Sequence, residues 1–205
     1  MVGNEIGATE SQGNYEIREV FWDAFERPER DEVIPSREVP LANSFETLRL
    51  FLTAIAETDG SKREIDGQVA EFEARHADLY GTAGWLLGFV HEDAPTEATE
   101  QEVRRWGLTK RGVEYLRLRQ QGDTERARRR LAEAVRQVEV VERILAELEA
   151  EGELPYDRLA ERIAAETTLS ESSASRRASP VSQWLTALPE VETKPDGRTK
   201  TFVLV

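Results

Sequence analysis

Cysteine is absent from this 205-residue chain. That excludes a disulfide framework and any cysteine-based zinc site. Histidine is nearly absent as well. The two that occur, His76 and His91, have no companion ligands at metal-binding spacing and read as ordinary surface or helix-end residues. Methionine occurs once, and there are four lysines against 23 arginines. No apolar run approaches the roughly 18 residues of a membrane helix, and no basic-then-apolar leader is evident. The expectation is a soluble, cytoplasmic protein with no membrane contact. Also missing are the Gly-x4-Gly-Lys-Ser/Thr loop, the Gly-x-Ser-x-Gly elbow and the Gly-x-Gly-x-x-Gly strand–helix junction. A non-enzymatic chain without cofactors is therefore expected.

Acid is what the sequence has in excess. Its net charge is −13 and its mean hydropathy is −0.56. Acid excess combined with lysine depletion fits a molar-salt cytoplasm, where a Debye length of roughly 3 Å stops overall charge from governing encounters. The excess is uneven. Residues 1–102 carry 23 acids and 8 bases, net −15, whereas residues 103–205 carry 17 acids and 19 bases, net +2. A polyanion would find its place on the second half, leaving the first as a solvated acidic body or a protein-facing surface.

Taken in order, residues 1–14 have the composition of a disordered tail, and YEIREVFWDAFE at 15–26 reads as a short helix. Its Phe21, Trp22 and Phe25 are expected to pack back onto the first domain. Pro28, Pro35 and Pro40 keep the chain extended to Leu41. Asn43 or Ser44 then starts an amphipathic helix with Leu48, Phe51, Leu52 and Ile55 on one stripe. Ser61 and Glu64 form a capping-box pair for a second helix. A third spans about 74–87 and stops at Gly88. A strand begins at Phe89-Val90, an acidic loop fills 91–102, Val103–Leu108 returns, and Thr109 caps the next helix. Asp123 or Thr124 opens an apolar stripe (Ala127, Leu131, Val135, Val138, Leu145, Leu148) that predicts one helix to about Glu151, roughly 40 Å long. Such a helix either spans two domains or supplies a homodimer seam.

The second half is organised around LSESSASRRASPVSQWLTAL at 169–188. Ser170 is an N-cap candidate, and Ala174, Ala178, Val181, Leu185 and Leu188 recur at spacings of three and four. Pro180 is expected to kink or restart the helix. A helix at 155–166 precedes it, and a hairpin turning at Pro195-Asp196-Gly197-Arg198 follows. The fold expected is mainly α with small β-hairpins, as tandem winged helix-turn-helix domains joined by a long helix. The boundaries are 1–40 for the acidic tail and extended arm, 41–121 for the first domain, and 122–205 for the long helix and second domain.

The pieces LANSFETLRLFL, RHADLYGTAGWLLGFV, WGLTKRGVEYL and LSESSASRRASPVSQWL, with the closing hairpin, resemble a tandem winged-helix family of halophilic archaea and bacteria found beside or fused to restriction endonuclease genes. The resemblance covers most of residues 41–205. It implies recognition of double-stranded DNA within a restriction or defence system, with a restriction or defence protein as a second partner, and it carries no catalytic residues.

Arg176 and Arg177, with Ser173, fall on the helix that enters the major groove in this fold, where Arg reads guanine O6 and N7. Arg198 and Lys200 on the wing are placed for adjacent phosphates. The corresponding first-domain helix offers only Arg75 and His76 amid Glu71, Glu73 and Asp78, a surface that repels phosphate. The run Arg126, Arg128, Arg129, Arg130 points in several directions and reads as a solvated face that pairs with acids such as Glu133. A nuclease half-motif, Glu190-Val-Glu192-Thr-Lys194, lacks a central sheet to join it to Asp157 and reads as a solvated hairpin. The alternative to DNA binding is an interaction scaffold that retains winged-helix cores.

Overall fold

The computed structural model describes residues 33–68, 76–93, 104–197 and 199–205. The tail, the helix expected at 15–26, Arg75 and Arg198 lie outside the described residues. The protein is mainly helical, with small antiparallel strand pairs.

Side-chain capping starts most of the early helices where the sequence places it. The Ser44 hydroxyl accepts the Thr47 N–H at 3.1 Å to begin α1 (Phe45–Glu57). Leu48, Phe51, Leu52, Ala54 and Ile55 bury its inner face. Before α2 (Lys62–Gln68) the Ser61 hydroxyl accepts the Glu64 N–H at 3.4 Å as expected, while the Glu64 carboxylate reaches back past Ser61. Glu64 accepts the Asp59 N–H at 3.0 Å, and Asp59 accepts the Ser61 N–H at 2.8 Å. Next comes α3 (His76–Leu86), followed by Gly88 at φ 66, a left-handed position that suits glycine. Strands β1 (Val90–Asp93) and β2 (Arg105–Leu108) pair antiparallel, and Ser61 adds an antiparallel bridge to Arg105. Gly60 makes this third edge feasible, since a Cβ there would sit 2.1 Å from the Trp106 carbonyl oxygen. The Thr109 hydroxyl accepts the Gly112 N–H at 3.1 Å to begin α4 (Lys110–Gln120).

The long helix expected from residue 123 to 151 is instead two: α5 (Thr124–Arg136) and α6 (Glu139–Glu151). At the join, Gln137 and Val138 donate to Ala134 and Val135 at 3.2 and 3.1 Å, which tightens the last turn of α5. Val138 then turns extended, at φ −79 and ψ 120. It is β-branched and 3% exposed, so its side chain is held in the core while the backbone changes direction. The break lets α5 pack on α4 while α6 packs on the elements that follow it. Leu131, Val135, Val138, Val140, Val141, Ile144 and Leu148 are all buried within one chain. Of the stripe read from the sequence, Ala127, Leu131, Val135, Val138 and Leu148 are buried in the chain's own core and Leu145 is partly buried.

After Gly152 come β3 (Glu153–Pro155), α7 (Tyr156–Glu166), α8 (Glu171–Leu185), β4 (Val191–Asp196) and β5 (Thr199–Leu204). The strands form one antiparallel sheet in the order β3-β5-β4. Strand β3 was not foreseen from the sequence. Helix α8 continues through the buried Pro180 rather than restarting there. The core is continuous from Ile34 to Phe202. Its first residues come from the segment before α1: Ile34 donates to the Glu166 carbonyl at 2.8 Å and accepts from Thr168 at 2.9 Å, forming a parallel bridge at the α7–α8 junction.

Candidate nucleic-acid interface

Helix α8 has three different sides, and its 3.6-residue period decides which residue joins which. Ala174, Ala178, Val181 and Leu185 face the core. Small alanines there allow α7 and α8 to pack closely. One flank meets the segment before α1. There the Arg177 guanidinium donates to the Val39 carbonyl at 2.6 Å, and the Trp184 indole N–H donates to the Ala42 carbonyl at 2.8 Å. The remaining side carries Ser172, Ser175, Arg176, Ser179 and Gln183, all exposed, with Glu171 exposed beside them in the first turn.

The two arginines predicted together are thus separated in role. Arg177 is half-buried, and burial, followed by the charge of neighbouring Arg176, pushes its pKa below the usual arginine value. It is held by the molecule itself. Arg176 is exposed, and its contacts are within its own helix turn: Nε to the Ser172 carbonyl at 3.3 Å and a terminal nitrogen to the Ser173 hydroxyl at 3.4 Å. Ser173 is partly buried and also accepts from the Ser170 hydroxyl at 3.1 Å. Ser170 occupies the N-cap position, but its side chain bonds neighbouring serines rather than a first-turn N–H.

On the hairpin, Lys200 is partly buried, and its ammonium sits 5.5 Å from the Tyr156 ring centre and 5.3 Å from that of Phe202. Burial lowers its pKa. The ammonium is thus held against aromatic surface, while Lys194 on β4 stands exposed. Ser172, Ser175, Ser179 and Gln183 were not singled out from the sequence. The signal was available, because they recur at three and four residues opposite the alanine stripe.

The first half carries a different surface. On α3, Asp78 is held by Lys62 at 3.3 Å and Arg104 at 3.0 Å, and Arg104 also meets Glu92 at 2.7 Å. Trp85 is 37% exposed on the same helix. In the arginine run of α5, Arg130 pairs with Glu114 at 2.7 Å and Glu133 at 2.9 Å, and Arg126 with Asp123 at 3.6 Å. Arg128 and Arg129 remain exposed. Asp157 lies in the first turn of α7, and Glu192 and Lys194 lie exposed on β4. Among the described residues, no three His, Asp or Glu side chains gather as a metal site. No described helix is long and apolar enough to cross a membrane.

The sequence from within α1 to the start of β4 decides the chain's kinship. It belongs to the family described as a domain of unknown function (DUF7226), matched over residues 50–192. No curated protein and no solved structure matches the chain. The family's span takes in α2 through α8, so both helical halves and the polar side of α8 fall within it.

Proposed function

We propose that this chain is a non-enzymatic protein that binds double-stranded DNA, built from two winged-helix units and serving as a specificity or regulatory part of a restriction or defence system in a salt-rich cytoplasm. The observation that carries this reading is the exposed row Ser172, Ser175, Arg176, Ser179 and Gln183 on α8. These side chains are of the types that hydrogen-bond base edges, and the one charge among the five is the cation of Arg176, although the Glu171 carboxylate stands exposed beside them in the first turn. The order α6, β3, α7, α8 and hairpin supports the winged-helix reading, with α8 as recognition helix and β4–β5 as wing. The net +2 of residues 103–205 also favours this half.

The scaffold reading draws on a specific observation of its own, the engagement of Arg177 with Val39. Titration of a mixed duplex at several salt concentrations separates the two readings. DNA binding gives an affinity that falls linearly in log–log form as salt rises, by about one unit of slope per phosphate contact. A scaffold gives no saturable binding even in dilute salt.

A further inference from the structure

Away from α8, a cleft of about 170 Å³ opens where α1, α4 and α5 meet. Phe45, Tyr115 and Leu131 give it apolar walls, and Arg119 and Arg128 stand at its edge beside Glu46. An enclosed apolar cavity of about 150 Å³ holds a benzene ring. This cleft has a similar volume but opens to solvent, so it can cover one side of a ring or of a branched chain while the other end stays in water. The back wall is rigid, because Tyr115 stacks on Phe89 with ring centres 5.0 Å apart and planes 13° from parallel.

The charges around the cleft do not balance. Glu46 takes Arg49 at 2.5 Å and Arg119 at 3.2 Å, so one carboxylate is shared by two guanidinium groups. Of these two only Arg119 lines the cleft; Arg128 adds a second lining cation, exposed on the first turns of α5 and outside any ion pair among the described residues. In a chain of net −13, that local excess runs against the overall balance. The Tyr115 side chain lines the same space, and burial raises its pKa, so its phenol stays protonated as a hydrogen-bond donor. Apolar walls with a few convergent polar groups are the ordinary composition of a small-molecule site.

We propose that this cleft binds a small organic carboxylate, its apolar body between Phe45, Tyr115 and Leu131 and its charged end between Arg119 and Arg128. The site is also mechanically connected to α8. Phe45, which forms one wall, lies 5.8 Å from Trp184, ring centre to ring centre, and the Trp184 indole is bonded to Ala42. An occupant that shifts Phe45 presses on the helix carrying the exposed polar row. Any consequence for DNA rests on the function proposed above, whereas binding in the cleft does not.

The test uses the full chain and sodium benzoate at fixed ionic strength, followed by calorimetry, thermal melting and the Trp184 indole proton resonance. Benzoate should bind and raise the melting temperature, moving that resonance. Benzyl alcohol, which lacks the charge, and inorganic phosphate, which lacks the ring, should each bind at least tenfold more weakly. Arg128→Gln is an exposed change that leaves the fold intact. It should weaken benzoate at least tenfold without altering duplex binding, and Arg128→Lys should recover part of the loss. Phosphate binding as tightly as benzoate, an equal benzoate response in Arg128→Gln, or no benzoate response at all would each overturn the proposal. If no duplex binds in any arm, the DNA reading fails while the benzoate titration still decides the cleft.

Discussion

In the first half a helix, a short β contact at Ser61, two more helices and a hairpin follow one another; in the second, α6, β3, α7, α8 and the β4–β5 hairpin repeat that order. What differs is the outward side of the last helix. On α3 the acid Asp78 is tied down by Lys62 and Arg104, and an indole is exposed at Trp85. On α8 the tryptophan is turned inward, 1% exposed, and the outward side is left to serines, a glutamine and Arg176. The hairpins differ too, with strands of four residues in the first half and six in the second. One arrangement of elements thus supports a brace in one half and an open polar face in the other. The segment 33–44 joins them, because it leads into α1 while its own contacts are with α7 and α8.

The contrast is sharpest at the two tryptophans. Trp184→Ala removes a fully enclosed ring along with its bond to Ala42, and should cost about 3–5 kcal/mol of stability. Trp85→Ala removes a ring that is 37% exposed and should cost clearly less, about 1–2 kcal/mol. Denaturant midpoints of the two variants measure the difference, and equal losses would break the comparison. A smaller effect is expected at the tie between halves. Arg177→Met leaves the Val39 carbonyl without its donor and should cost about 1–2 kcal/mol, with faster amide exchange around Ile34 and Val39.

The smallest effect concerns acid. The bond from Arg136 holds the Glu190 carboxyl below the usual carboxylate range, and Asp59 is lowered by its hydrogen bond to Ser61. A carboxylate with a depressed folded-state pKa stabilises the fold above its unfolded value, near 4.3 for Glu, and that contribution is lost as pH falls through the folded value. Stability should therefore decline on acidification below about pH 4. Glu190→Gln should flatten that decline by less than about 1 kcal/mol, since both partners are partly solvated. Urea midpoints across that range would show it, and identical pH slopes for the two proteins would contradict it.

Local chemistry was legible in the sequence, and long-range contacts were not. Ser44, Thr109 and Asp123 cap the helices they were expected to cap, because a hydroxyl or carboxylate three residues before an N–H needs no tertiary partner. The β4–β5 pairing and the end of α3 at Gly88 are equally local. The break at Val138 was hidden, since neither glycine nor proline marks it and the apolar spacing runs on across it. Strand β3 has only three residues, too few to show alternation, and exists because β5 lies beside it. The division of labour between Arg176 and Arg177 depends on Val39, 138 residues away from Arg177. Helical spacing alone places the two arginines on neighbouring sides, and only the segment packed against one of them tells them apart.

The central claim is that α8, and not α3, reads DNA. The direct measurement is selected-site binding by wild type, Arg176→Ala and, on the first half, Thr82→Ala, which changes a partly exposed residue of α3. Loss of a bidentate base contact costs about 1–3 kcal/mol, roughly ten- to hundredfold for that base. Arg176→Ala should therefore relax the preference at one base pair while its folding midpoint stays unchanged, and Thr82→Ala should reproduce the wild-type site and affinity. Unchanged selection by Arg176→Ala, or loss of preference in Thr82→Ala, would contradict the account.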